Sequence, residues 1–545
     1  MLRANGFWAM CRRLAIGLMV VGAVGQARTD QSARPNIVVI LADDMGWSDV
    51  GCYGGEIRTP NIDRLAAEGL RFTRFFNSAK CEPTRASLMS GHYWQDVNLG
   101  IKVGPTMGEA MRAAGYATYA VGKWHLDGNP VERGFDHYFG HLSGGTDYFK
   151  GNNSFRLDDK PFKVPSTGFY TTDANAEYAM RFLDGWRNEA PGKPFFLYLA
   201  FNAPHTPLQA PPEDIKKYRG AFAQGWDALR AARCARQKEM GLIKPQWPLP
   251  ERPRAIPAWD SLSEKDRDFE DLRMAAYAAM VDHMDGAIGR VLDKIQELGQ
   301  RDNTLVMFLS DNGASPFDHV RRGEIGTAGS FWFTGLGWAW LSNAPFRHYK
   351  QNMFHGGACT PFIACWPAVI QEHGAITDQP GHIIDIMATA LDLAGGEYSK
   401  TPGDKPQAPL PGRSLRPIFE GRTRDPNPPL FFQLFENRAV IAGDWKLVSD
   451  WGQPWSLFNL AEDGAETRDQ AADLPEKAKE LEDFWQSWWD AVPNKRFRSV
   501  GGEPEYLAPS SALRGGDEEE DESAGTGAPK PSGKNTTPAR ARKAK

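Results

Sequence analysis

Asn36-Ile37-Val38-Val39-Ile40-Leu41-Ala42, closed by Asp43-Asp44, is the stretch of this 545-residue chain from which its architecture can be read. Six consecutive aliphatic residues with no polar alternation suit a strand buried on both faces, as in a sheet covered by helices. Similar runs recur at Ala117–Val121, Pro194–Phe201 and Thr304–Leu309, with helical patterns between them. Pro60 to Gly69 reads as a short helix, with Pro at its start, Ile62, Leu65 and Ala66 apolar, and Gly at its end. Asp266 to Leu298 is the longest, because Leu272, Ala276, Met280, Met284, Ile288, Leu292 and Ile295 repeat at helical spacing. Strands alternating with helices predict an α/β fold, a large and mostly parallel sheet sandwiched by helices. Polar residues follow three of the strands: Asp43-Asp44, Lys123 with His125, and Asp311-Asn312. Strand ends are where such sheets place their sites.

After about Gly421 the texture changes. Leu430–Leu434, Arg438–Ala442, Trp445–Ser449 and Ser456–Asn459 are short β-like runs, and Pro475–Trp489 is an amphipathic helical pattern. A main domain over residues 34–421 and a small antiparallel sheet with one helix over 422–500 are therefore expected. Residues 507–545 hold an acidic run, Asp517 to Glu522, then scattered Lys and Arg among Gly, Pro, Ser and Thr. Such a composition cannot bury a core, so a disordered charged tail is expected there. The N-terminus carries Arg3, Arg12 and Arg13, an apolar run from Leu14 to Val24, and small residues to Ala27. That pattern predicts a cleaved signal peptide over 1–27 and export to the periplasm or the extracellular space, with no membrane span afterwards. A hydrophobic content of 41% and a charged content of 24% belong to a globular protein, and a net charge of −5 gives no electrostatic case for nucleic acid. The six cysteines are scattered and define no disulfide framework. Cys359 and Cys365 could bridge, but the intervening Thr-Pro-Phe-Ile-Ala reads as a buried strand, which favours free thiols.

Asp43-Asp44 and Ser310-Asp311-Asn312-Gly313 each have a plain reading as a turn at the end of a strand. Together they offer three carboxylates and an amide oxygen, hard ligands of the kind Ca²⁺ or Mg²⁺ prefers. Lys123 and His125, at i and i+2, point the same way if their strand continues. His205 sits in Asn202-Ala203-Pro204-His205-Thr206-Pro207 after another strand, and Lys350 lies five residues before His355-Gly356-Gly357.

Cys81-Glu82-Pro83-Thr84-Arg85, with Ser90-Gly91 following, resembles the signature of the formylglycine-dependent sulfatases, members of the alkaline phosphatase superfamily. The resemblance runs from about Arg34 to Ala491. It is nearest to the bacterial arylsulfatase type that has Pro-Phe-Arg-x-Tyr-Lys before the paired glycines, here Pro345 to Lys350. It implies that a formylglycine-generating enzyme oxidises Cys81 during synthesis. The hydrated aldehyde then attacks sulfur and expels sulfate by collapsing back, an exit that a sulfated serine would lack. It implies one divalent cation, Ca²⁺ in preference to Mg²⁺, among Asp43, Asp44, Asp311 and Asn312, next to the modified Cys81. By the same resemblance Arg85 orients the hydrate, Lys123 holds hydrate and sulfate, and Asp311 accepts the proton of the attacking hydroxyl. His205 and Lys350 bind sulfate and assist the leaving oxygen, and His125 takes the remaining diol proton.

Two departures stand out. Family members usually have Glu where this chain has His355, which puts local packing and the substrate rim in question. Gly91 to Gly104 is shorter than usual and is expected to border the pocket. A phosphonate or phosphodiester hydrolase of the same fold is the nearest alternative, though Asn312, where those tend to have His, favours sulfate. A sulfoglycan-binding protein without catalysis is the other, should Cys81 stay unmodified. Phe331-Trp332-Phe333 and Trp338-Ala339-Trp340 suit either a sugar-stacking rim or the core. A sulfated carbohydrate is the expected substrate; the sequence leaves its identity and the oligomeric state open.

Overall fold

A strand shielded from water on both faces can satisfy its backbone N–H and C=O groups only by pairing on both edges, and Asn36–Ala42 does so. The computed structural model describes residues 34–398, 408–425 and 428–493, so the expected signal peptide and charged tail lie outside the described residues. Its main sheet contains β1 (Asn36–Ala42), β2 (Leu70–Phe76), β3 (Ala117–Lys123), β4 (His137–His141), β5 (Phe155–Leu157), β6 (Lys160–Pro161), β7 (Phe195–Ala200) and β8 (Thr304–Ser310). After a separate hairpin of β9 (Arg321–Arg322) and β10 (Phe331–Trp332), the sheet is completed by β11 (Cys359–Cys365), β12 (Ala375–Thr377) and β13 (Gly381–His382). The order is 12-2-11-8-1-7-3-4-5-6, with β13 also on β2. The run 8-1-7-3-4 is wholly parallel, whereas β11 is antiparallel to both β8 and β2. Every residue of β1, β3, β7, β8 and β11 is buried, which is why these strands read as unbroken apolar runs.

Helices cover both faces. The longest, Glu264–Glu297, starts two residues before the expected point because Ser263 caps it, its hydroxyl accepting from the Asp266 N–H at 3.1 Å. Among the described residues no helix is long and apolar enough to cross a membrane. Cys359 and Cys365 are free and buried at the two ends of β11.

The C-terminal region forms the antiparallel sheet β14 (Leu430–Leu434), β15 (Asn437–Ala442), β16 (Trp445–Ser449) and β17 (Ser456–Asn459), with the helix Pro475–Ala491 packed on it. Leu481 and Trp485 anchor that helix, and the Trp485 indole N–H donates to the Phe432 carbonyl at 3.0 Å. One sequence expectation is corrected here. His355 belongs to no rim. It is buried between Phe76 and Phe346, with Nδ1 2.9 Å from the Gly464 carbonyl and its backbone N–H on Glu466 at 2.7 Å. Burial holds its pKa well below the ordinary histidine value, so the ring is neutral. Glu466 in turn pairs with buried Lys446 at 2.6 Å, which ties the C-terminal sheet to the Gly356-Gly357 element. In the shortened segment, Tyr93 packs on Phe431 and Trp488, and the Gln95 amide donates to the Gln433 carbonyl at 2.9 Å, so this end meets the C-terminal sheet.

Candidate active site

Parallel pairing brings together carboxylates that lie far apart in sequence. β1 and β8 run in register with Ala42 opposite Ser310, so the next residues, Asp43 and Asp311, emerge side by side. The Asp311 N–H donates to the Ala42 carbonyl and the Asp43 N–H to the Ala203 carbonyl, each at 3.1 Å. β7 and β3 end at the same edge and deliver the His205 turn and Lys123. Gly122 allows that arrangement: its φ is +98°, and a Cβ there would stand 1.8 Å from the Ala200 carbonyl oxygen. Cys81 arrives from elsewhere. After β2 the chain turns through Ala79, at φ 58°, and Cys81 opens the helix Cys81–Ser90, which Gly91 closes in left-handed backbone.

Three carboxylates and three cations then interlock. Lys123 Nζ donates to Asp43 at 2.8 Å, and Arg85 donates to one Asp311 oxygen from Nη2 at 2.8 Å and from Nε at 3.2 Å. Lys350 Nζ lies 3.1 Å from Asp44, and the Asn312 amide donates to Asp44 at 2.6 Å. His205 Nε2 is 3.7 Å from Asp44. Its Nδ1 is 2.6 Å from the Thr206 carbonyl, which can only accept, so Nδ1 carries a proton. Burial, reinforced by the Asp43 carboxylate and opposed by Arg85 and Lys123, raises the Asp311 pKa to about 6. Burial pulls the Lys123 ammonium down, but Asp43, Cys81 and Asp311 together outweigh it and the net direction is up. Burial also dominates at Cys81, whose thiol is pushed up to about 11 against the pull of Lys123 and Lys350. At neutral pH this cysteine is therefore a protonated and poorly nucleophilic thiol.

The donor set fits a hard divalent cation. Asp43 Oδ1 and Asn312 Oδ1 are buried acceptors with no hydrogen-bond partner. One group of ligand atoms, from Asp43, Asp44 and His205, lies within 4.8 Å, and so does a second, from Asp43, Cys81 and Asp311. Oxygen donors in that number suit Ca²⁺ or Mg²⁺. His205, expected to bind sulfate and assist the leaving oxygen, thus stands among the carboxylates as well.

His125 departs from its expected placement. β3 ends at Lys123, and His125 sits in left-handed backbone at φ 53°, so the i, i+2 rule of a continuing strand does not apply. It is half-buried near His141, whose proton affinity is lowered by burial first, then by Lys123 and Arg85, and least by His125. Sequence reading also missed supporting residues. The Arg85 guanidinium reaches the Tyr198 hydroxyl at 3.4 Å and the Lys123 carbonyl at 2.9 Å. The Tyr277 hydroxyl donates to Asp49 at 2.7 Å and lies 3.4 Å from the Asp44 carbonyl; Asp49 also accepts from the Gly46 N–H and pairs with Arg233. Asp49 follows the aspartate pair closely enough to have been noticed, whereas Tyr198 and Tyr277 sit in apolar runs that signal only core. Trp338 and Trp340 are core: Trp338 packs edge-on against Trp226 and Trp259, and Arg230 lies over Trp340.

A family profile described as sulfatase matches residues 35–396. The chain belongs to the sulfatase family. Among its relatives is an arylsulfatase of Klebsiella aerogenes, 34% identical over 73% of this chain and 95% of that protein. Another is the N-acetylgalactosamine-6-sulfatase of Rattus norvegicus, 29% identical over 81% of this chain and 76% of the relative. A crystal structure of Ps i-CgsB in complex with k-i-k-neocarrahexaose superimposes with a TM-score of 0.63 at 25% identity, covering 86% of this chain and 95% of the other. As a sulfatase the chain is an enzyme, and the buried charge cluster is its candidate active site.

Breaking a fully buried ion pair is expensive because the remaining charge cannot recover its water. Arg85→Met, which keeps most of the volume, is expected to destabilise the metal-free protein by about 3–5 kcal/mol at pH 7. The deficit should narrow as the pH falls, since protonated Asp311 needs no counter-charge. Urea denaturation at several pH values measures both; a midpoint equal to the parent's at pH 7 would show that Arg85 does not hold the cluster together.

Proposed function

We propose that this sulfatase hydrolyses sulfate esters of carbohydrates, using formylglycine made from Cys81 and one Ca²⁺ held by Asp43, Asp44, Asp311 and Asn312. The observation that carries the reading is the charge balance around Cys81. Asp43, Asp44 and Asp311 offset Arg85, Lys123 and Lys350, so a divalent cation leaves a net charge near +2, complementary to sulfate. The protonated state of the Cys81 thiol supports modification over direct use of sulfur. The formylglycine hydrate would supply an oxygen nucleophile and a way back to the aldehyde, and the cation would supply Lewis-acid polarisation of a sulfate oxygen.

The side chains divide the remaining work. Arg85 is fixed by Asp311, Tyr198 and the Lys123 carbonyl, which suits it to orienting the residue at position 81. Asp311, with a pKa raised to about 6, can accept the proton of an attacking hydroxyl. Carboxylates occupied by a cation would release Lys123 and Lys350 to bind sulfate oxygens and stabilise transition-state charge. His205 bonds its Nδ1–H to Thr206, so its imidazolium form presents an Nε2 proton to the leaving oxygen. His125 is the group assigned to take the remaining proton. A carbohydrate substrate is supported by the relative that acts on N-acetylgalactosamine 6-sulfate, as its name states, and by the neighbour bound to a neocarrahexaose.

Protein made without the formylglycine-generating enzyme should fold but be nearly inactive, as should Cys81→Ala. Full turnover by material that mass spectrometry shows to carry only cysteine at position 81 would sink the nucleophile assignment.

Metal analysis should find one calcium per chain in the parent and markedly less in Asp43→Ala and Asp311→Ala, with activity falling in step. Full occupancy in both variants would move the cation elsewhere.

A sugar alkoxide needs a proton or cationic stabilisation to leave, whereas a nitrophenolate leaves with little help. His205→Ala and Lys350→Ala should therefore lower kcat/KM more steeply as the leaving-group pKa rises across a series of aryl sulfates. A uniform fall across the series would make both residues sulfate binders only.

A further inference from the structure

The chain leaving Asp311-Asn312 runs along Lys350, whose backbone N–H donates to the Ala314 carbonyl at 3.2 Å, and brings the Phe317 ring 5.9 Å from the Lys350 ammonium. It then enters the hairpin β9–β10, where Arg322 stands opposite Phe331. From Lys350 outward the rings form a continuous row. Phe317 meets Phe333 at 6.1 Å, Phe333 meets Phe331 at 5.5 Å, and the Arg322 guanidinium lies 5.8 Å from the Phe331 centroid. Phe333 is buried and braces the row, while Phe317 and Phe331 are half-exposed.

The hairpin is held in place. Asp318 accepts from Arg273 of the long helix at 2.7 Å and pairs with Arg321 at 2.5 Å. The Trp332 indole donates to the Gly323 carbonyl at 2.9 Å. The Leu208 N–H donates to the Trp332 carbonyl and the Gly326 N–H to the Leu208 carbonyl, both at 3.0 Å, which ties the hairpin to the segment just after His205. Arg322 takes no part in this anchoring. It is exposed and has no carboxylate within ion-pair distance among the described residues, Glu324 of its own hairpin included. Lys150 is likewise exposed and without a carboxylate partner among the described residues, and its Nζ rests against Gly329, 2.9 Å from where a Cβ would stand.

An aromatic row offers its faces to the apolar side of a sugar ring, and an unpaired guanidinium offers a fork to a sulfate or a carboxylate. A small aryl sulfate bound at Lys350 would meet Phe317 alone of the row and would not extend to Phe331 and Arg322. Resting on the sulfatase reading above, we propose that Phe317, Phe331 and Arg322 form a second subsite, with Lys150 against Gly329 of the same hairpin. It takes the adjoining residue of an acidic carbohydrate chain. The substrate class is then an oligosaccharide with an anionic group, sulfate or uronate, next to the residue that loses its sulfate.

The test uses enzyme whose Cys81 conversion has been verified, turning over 4-nitrophenyl sulfate, with saccharides added as competitors. A carrageenan tetrasaccharide (sulfate arm) or a chondroitin sulfate tetrasaccharide (uronate arm) should compete with an inhibition constant about tenfold or more below that of galactose 6-sulfate, the scale of one hydrogen bond to a charged group. Arg322→Ala and Phe331→Ala should each lose most of that advantage while keeping kcat/KM for 4-nitrophenyl sulfate. Tetrasaccharides that bind no tighter than the monosaccharide, or variants that retain the full advantage, would overturn the subsite and leave the sulfatase reading standing. Failure of the parent to hydrolyse 4-nitrophenyl sulfate would overturn the sulfatase reading itself, and the subsite with it.

Discussion

Three carboxylates packed together in a dry interior repel one another and resist ionisation, and everything around this site answers that constraint. Arg85, Lys123 and Lys350 come from a helix, a strand end and a loop, and each must arrive fully buried and within hydrogen-bonding reach of an acidic partner. None of the three could be supplied locally. The cluster therefore requires β1, β3, β8, the Cys81–Ser90 helix and the Lys350 loop to be in their final positions at once. Site assembly and folding are in this sense one event.

The fold was legible where burial is complete. β1, β3, β7 and β8 are covered on both faces, and their apolar runs betray them within a residue or two. The strands of the C-terminal sheet were equally plain, because turn residues punctuate them. β2 was not read as a strand: Leu70–Phe76 carries Arg71 and Arg74, whose guanidinium groups reach the Cys52 carbonyl and Asp444, so its pattern is interrupted by contacts made elsewhere in the chain. Its antiparallel pairing with β11 likewise depends on partners nearly 300 residues apart, which no local pattern encodes.

The site residues with short motifs around them could be nominated from sequence, and the structure gathers the acidic pairs, Cys81, Arg85, Lys123, His205 and Lys350 into one place. His125 shows the limit of periodicity, since a single left-handed residue cancels the rule that seemed to aim it. Tyr198 and Tyr277 show another limit, because a hydroxyl at the end of an apolar side chain looks like packing until its partner is known. His355 could be flagged as a departure, but its meaning lay 111 residues away in Glu466, whose carboxylate holds its backbone N–H.

Cys81 is 1% exposed, at the start of a helix whose Pro83, Thr84 and Arg85 are also buried. A modifying enzyme could not seat a residue so placed without first unfolding the structure around it. On the proposed reading, the oxidation of this side chain therefore precedes folding, while the segment is still extended. The folded protein preserves whatever state the cysteine had at that moment, so its composition at position 81 is a record of the order of events during biosynthesis.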